Sequence, residues 1–165
     1  MIAAMARIPA LGPRGEGWVA LQVVAIALVV LGAGFGPVPL PAAAANALLT
    51  IGRALVVVGL LFLISGVAVL RLAGAFTVFP RPSATGQLVE SGPYRFVRHP
   101  VYSGLILASL GTGLMRLSVA TLLAAFLLFV ILDLKRRREE TWLVERFPGY
   151  EAYRRRTRAL LPWLY

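Results

Sequence analysis

The sequence predicts an all-α, polytopic membrane protein of about four transmembrane helices, with interfacial helices on the cytoplasmic side. Three observations predict it. The 165-residue chain is 59% hydrophobic and only 15% charged, far from the usual soluble mix. Several apolar runs approach the ~20 residues that cross a bilayer as a helix. The cations gather beside particular runs: of sixteen arginines and one lysine, nine lie between Lys135 and Tyr165.

The first expected span covers Trp18 to Phe35, roughly 27 Å of helix. Gly36-Pro37-Val38-Pro39-Leu40-Pro41 then breaks it. The segment before it, with Arg7 and Arg14, lacks a clean small-residue cleavage site, so the span reads as retained. The second covers Leu48 to Leu70, with Arg53 one turn inside, either snorkelling to headgroups or forming a buried contact. Arg71 to Arg98 holds Pro80, Pro82, Gly86, Gly92 and Pro93 and reads as loop and turns.

Val101 to Leu134 would make one helix of about 50 Å, too long for a bilayer. A break at Met115-Arg116 divides it into a hairpin of two spans, Val101–Leu114 and Leu117–Leu134. Pro100 is well placed to start the first. Gly104, Ala108 and Thr112, at i, i+4 and i+8, form a small-residue ridge for close helix packing. The tail from Thr141 is read as short interfacial helices separated by Pro148-Gly149 and stopped by Pro162. Tyr150, Tyr153, Trp163 and Tyr165 are expected at headgroup level.

The loop between the first two spans has no charged residue, whereas Arg71, Arg81, Arg95 and Arg98 follow the second and Lys135–Arg138 follow the fourth. Four spans with both termini cytoplasmic satisfy the positive-inside rule. Residues 1–75 then hold the first two helices and residues 76–165 the chemical core, within one integral membrane domain. The net charge of +10 is read as contact with anionic membrane lipids. No nucleic-acid partner is expected, because the cations flank apolar runs rather than a binding fold. No obligate protein partner is expected either.

The chain has no cysteine and one histidine. Disulfides and cysteine nucleophiles are excluded, and no protein-built metal site is expected. No phosphate-cradling glycine loop is visible, and Ser91 and Ser103 flank His99 without a nucleophile elbow. What remains is Ser91-Gly92-Pro93-Tyr94 followed by Arg98-His99-Pro100-Val101-Tyr102. The hairpin returns Glu139-Glu140 to the same membrane face. Ionisable groups beside membrane-grade sequence are costly to keep. This set can hold a polar cofactor next to lipid. In the alternative reading, Arg95 and Arg98 are cytoplasmic anchors, His99 supports the hairpin, and the glutamates neutralise Arg136–Arg138.

These motifs, with Gly86-Gln87-Leu88-Val89, Leu143 and Phe147…Tyr150-Glu151-Ala152-Tyr153, resemble the isoprenylcysteine carboxyl methyltransferase family and the related phospholipid N-methyltransferases. The resemblance covers roughly residues 76 to 165. It implies membrane helices and S-adenosyl-L-methionine as methyl donor, with S-adenosyl-L-homocysteine as product. It further implies cofactor contacts from Gly86, Gln87, Leu88, Val89, Tyr94, Arg98, His99, Pro100, Tyr102 and Glu139. Lys135, Arg136 and Glu140 fall on the catalytic and acceptor side. Lys135 stands where the eukaryotic enzymes carry a substrate-linked arginine, and a lysine lacks the planar fork of arginine.

The resemblance implies a lipophilic small-molecule or lipid acceptor, methylated on a carboxylate or, alternatively, on the amine of phosphatidylethanolamine. A non-catalytic lipid-binding scaffold is the reading from another class. The short, cysteine-free chain suggests a bacterial-type member in the inner membrane.

Overall fold

A computed structural model describes residues 8–32, 34–82 and 86–160. These residues form five α-helices: α1 (Glu16–Gly32), α2 (Ala42–Leu72), α3 (Pro100–Arg116), α4 (Val119–Arg146) and α5 (Tyr150–Arg156). A 3-10 turn occupies Gly92–Arg95. The described residues contain no β-strand, only an isolated parallel bridge between Val97 and Arg158. Trp163, Tyr165 and Pro162 of the expected tail, and Arg7, lie outside the described residues.

The expected hairpin forms. Leu117 adopts a left-handed conformation at φ 50° and ends α3. Ser118 starts α4, its hydroxyl accepting from the Thr121 backbone N–H at 3.2 Å, as a serine N-cap does. The same hydroxyl donates to Gly32 O at 2.9 Å, so the end of α1 is tied to the hairpin turn. α3 and α4 run antiparallel, α2 packs along α3, and α1 packs along α4.

The α2–α3 seam is built on glycine. Gly52, Gly59 and Gly66 recur every seven residues and are all buried. Across the seam stand Gly104 and Gly111. A Cβ on Gly59 would lie 2.7 Å from both Ala108 N and Gly104 O, and one on Gly104 would lie 2.5 Å from Gly59 O. The backbones therefore touch, the arrangement small residues permit between membrane helices. Of the ridge expected at Gly104, Ala108 and Thr112, Gly104 and Ala108 lie on this seam, and Gly111 joins them against Gly52. The α1–α4 seam is more conventional, with Ala25, Leu128 and Leu132 fully buried beside Tyr102, Leu105 and Ile131.

Among the described residues, α2 alone is long and apolar enough to cross a membrane by itself. Its 31 residues give roughly 46 Å of helix. Only 11% of its most apolar stretch is buried, unlike the core helix of a soluble domain, so Ile51, Val57, Leu61 and Ile64 face outward. The four-span count is not matched helix by helix. α1 and α3 have 17 residues each, and α4 meets Asp133 after fourteen uncharged residues. Their outward faces are nonetheless apolar, with Val24, Val30, Leu123 and Phe126 each more than half exposed.

Two further expectations are corrected. The segment from Thr141, expected as a separate interfacial helix, is instead continuous with α4, which runs to Arg146. Asp133 pairs with Arg136 and Arg137, and Arg136 with Glu140, at the i, i+3 and i, i+4 spacings that support a charged helix. Tyr150 and Tyr153 are not at an interface: they are 1% and 2% exposed, folded inward once Pro148-Gly149 turns the chain.

Candidate functional site

The site lies where the hairpin ends meet. α3 opens on His99 as its N-cap and Pro100 as its first residue. Five turns into α4, Glu139 and Glu140 arrive at the same level. The tail closes over them. Arg98 N donates to Arg158 O at 2.8 Å and His99 N to Ala159 O at 3.1 Å. The Ser103 hydroxyl bonds Leu160 O, and Tyr153 Oη donates to Tyr94 O at 2.7 Å. The corner Tyr94–His99 is thus held from both sides.

Glu140 is the hub beneath the site, 2% exposed. Its Oε1 accepts from Arg98 Nε at 3.0 Å and Arg136 Nη1 at 3.4 Å. His99 Nε2 lies 3.2 Å from the same oxygen. Burial alone would raise its pKa; the hydrogen bond and charge of His99, with the charges of Arg98 and Arg136, outweigh burial and hold the carboxyl well below the usual carboxylate range. Arg98 Nη1 donates to Arg154 O at 3.1 Å and Thr157 O at 2.6 Å. Arg136 also bonds Asp133.

Above the hub, His99 stacks on Tyr102 with ring centroids 5.3 Å apart. Tyr102 Oη donates to Glu139 Oε2 at 2.6 Å, and His99 Nδ1 lies 3.8 Å from that oxygen. The imidazole therefore has a carboxylate on each side. On the far face of Tyr102, Lys135 Nζ lies 5.1 Å from the ring centroid, donates to Gln22 Oε1 at 2.6 Å and reaches Val78 O at 3.4 Å. Its hydrogen-bond partners are two neutral oxygens.

A cleft of about 850 Å³, mouth included, opens over this floor. Nine of the thirteen sequence-predicted residues line it: Gly86, Gln87, Leu88, Val89, Tyr94, Arg98, His99, Tyr102 and Glu139. Gln87 Nε2 donates to Ala73 O at 3.2 Å, pinning the loop wall to the end of α2. Pro100, Lys135, Arg136 and Glu140 do not line it. Pro100 is buried against Gly66, and the other three form the supporting layer just described.

Sequence reasoning missed Phe76, Thr77, Tyr150 and Tyr153 as cleft residues. The available signal was the Tyr-x-x-Tyr spacing directly after Pro148-Gly149, which puts both rings on the inner side of α5. Burial raises the Tyr94, Tyr150 and Tyr153 phenols well above their ordinary value, with nearby glutamate charges adding to it. All three stay neutral and able to donate. Among the described residues no group of three His, Cys, Asp or Glu side chains is arranged to hold a metal ion.

A helical hairpin thus closes a largely apolar, carboxylate-bearing cleft beside helices whose outward faces are apolar. Residues 47–149 match the phospholipid methyltransferase family profile, and the chain belongs to that family. It is 40% identical over 78 residues to the cobalt-zinc-cadmium resistance protein CzcN of Cupriavidus metallidurans, covering 47% of this chain and 36% of that protein. It is 35% identical over 115 residues to the nickel-cobalt-cadmium resistance protein NccN of Alcaligenes xylosoxydans xylosoxydans, covering 69% of this chain and 53% of that protein. The chain thus spans between about a third and about half of the length of these relatives.

Proposed function

We propose that the protein is an integral membrane methyltransferase that uses S-adenosyl-L-methionine and methylates a lipophilic acceptor, by carboxyl O-methylation of an isoprenylcysteine-like or other lipid-like acid. The observation that carries this reading is the Glu139–Tyr102–His99 arrangement on the wall of the cleft, in a chain of this family.

The residues present fit the donor. Glu139 is 21% exposed in its side chain, fixed by Tyr102, and suited to accept from ribose hydroxyls or hold an ammonium group. Gly86–Val89 bring backbone and apolar wall to the same cleft, and Tyr150 contributes a hydroxyl without a partner. When bound, the donor supplies an electrophilic methyl on a sulfonium. The chain's own residues have to bind, orient and exclude water, which is where in-line transfer gains most.

A carboxylate acceptor is ionised at neutral pH and needs no base. That suits His99, whose two ring nitrogens both face glutamates, and Lys135, whose ammonium is held by neutral oxygens and can offset an acceptor's charge. The family profile favours a second reading, N-methylation of an aminophospholipid. That acceptor must lose a proton, and Glu139 is the exposed carboxylate in reach of the cleft. In either case the polar donor enters from the cytoplasmic side and the acceptor arrives laterally from the bilayer. We place the protein in a bacterial inner membrane with four spans, both termini inside, and lipids rather than nucleic acid or an obligate protein as its partners.

A methyl-transfer assay on the full chain in lipid vesicles, offering a prenylcysteine analogue or phosphatidylethanolamine, tests the assignment. Methyl ester formed only with the prenylated acid supports it. Methylated headgroup alone moves the protein to the second reading. Failure of both acceptors, with no donor bound to the folded protein, would leave a lipid-binding scaffold.

A further inference from the structure

Among the described residues, three buried side-chain polar atoms lack a hydrogen-bond partner: Thr121 Oγ1, Arg138 Nε and Tyr150 Oη. Their settings differ. Thr121 is pressed into the α1–α4 seam, where a Cβ added to Gly32 would come within 3.1 Å of its hydroxyl. The Arg138 guanidinium lies 4.4 Å over the Trp142 ring, which gives the cation a π-face in place of an oxygen. Tyr150 has no such substitute, and of the three it alone lines the cleft.

An unmade bond here is costly, because a buried hydroxyl without a partner forfeits its hydration and receives nothing in return. The neighbouring tyrosine shows that the fold can satisfy such a group. Tyr153 packs edge-on against Tyr150 with centroids 5.8 Å apart and donates its hydroxyl to Tyr94 O. Tyr150 sits between the same elements and is held by its backbone N–H to Phe147 O at 3.0 Å, yet its phenol is left open. Of the charged groups near it, Arg98 Nε and His99 Nε2 share Glu140 Oε1, and Glu139 Oε2 accepts from Tyr102.

We propose that Tyr150 is a cofactor-contacting residue, its hydroxyl donating a hydrogen bond to an oxygen of the bound S-adenosyl donor. This rests on the methyltransferase reading of the cleft. The bond is made only in the complex, so the free protein carries the unsatisfied group and ligand binding relieves it.

The test is calorimetric titration of S-adenosyl-L-homocysteine into the full chain in detergent, for wild type, Tyr150→Phe and Tyr153→Phe, with thermal unfolding of each free protein. Phenylalanine fills the same space without the hydroxyl. Tyr150→Phe is expected to bind the ligand three- to tenfold more weakly, the range of one net hydrogen bond, while its melting temperature without ligand is unchanged or higher. Tyr153→Phe, which orphans Tyr94 O, is expected to melt lower. Equal affinity of Tyr150→Phe and wild type overturns the Tyr150 assignment and leaves the methyltransferase reading standing. A lower melting temperature for free Tyr150→Phe also overturns it, because the hydroxyl would then be satisfied in the unliganded fold. No binding to folded wild type overturns the methyltransferase reading itself, and the Tyr150 proposal with it.

Discussion

Glu140 organises the site without lining it. One buried oxygen receives Arg98, His99 and Arg136, so removing the carboxylate strands cations in a region that water does not reach. Breaking a buried pair by deleting one partner costs about 3–5 kcal/mol. Glu140→Ala is therefore expected to lower stability by that amount in equilibrium unfolding in detergent, whereas Glu145→Ala, on the exposed side of α4, should change it by less than about 0.5 kcal/mol. The pH dependence has a definite sign. The folded pKa of Glu140 lies below its unfolded value. The stability it contributes is fully present above the ordinary glutamate value of ~4.3 and lost as pH falls through the folded value. Melting temperature measured from pH 6 downward should fall in wild type once below that point, and fall less steeply in Glu140→Gln.

Helix by helix, the glycine seam sets the geometry that the site depends on. α2 can deliver Leu70, Ala75 and Phe76 to the cleft only because its backbone touches α3 at Gly59 and Gly104. Gly59→Ala is expected to force the two backbones apart, since the atoms in the way are Ala108 N and Gly104 O rather than a side chain that can swing aside. Overpacking of this kind costs about 1–3 kcal/mol, read as a lower melting temperature. Gly36→Ala meets nothing within 4 Å and serves as the neutral comparison.

How far these features were legible follows from where their signal resides. The hairpin was readable because Gly111, Gly113 and Arg116 interrupt an apolar run that is too long for one crossing, and the Arg98–Tyr102 and Glu139-Glu140 motifs mark its two ends. The inward turn of Tyr150 rested on its spacing from Tyr153 alone, because an amphipathic aromatic near arginines otherwise has the same local pattern in a headgroup layer and in a cleft wall. The continuity of α4 with the segment after Thr141 was hidden likewise. A run of arginines reads as a membrane boundary, and only the pairing of Asp133 and Glu140 with it shows that the helix goes on.

At the scale of the whole molecule, the outward faces of α1, α2 and α4 are apolar, while the cleft and the ion pairs beneath it are confined to one end of the hairpin. Under the proposed function, that division suits a reaction between a charged donor and a greasy acceptor, each reaching the cleft from its own solvent. The proposed topology makes this concrete: a reporter fused after Arg98 and one fused after Leu134 are expected on the cytoplasmic side, and one at Leu117 on the other. A reporter after Leu134 on the far side, with that after Arg98 inside, would contradict the four-span arrangement.

The central claim is that the cleft binds an S-adenosyl donor through Glu139, and its most direct measurement is a titration of S-adenosyl-L-homocysteine into wild type and Glu139→Gln. Saturable binding that weakens tenfold or more in the variant, as expected on losing a hydrogen bond to a charged acceptor, is the predicted result. Undetectable binding to well-folded wild type, or equal affinity of the two proteins, would contradict it.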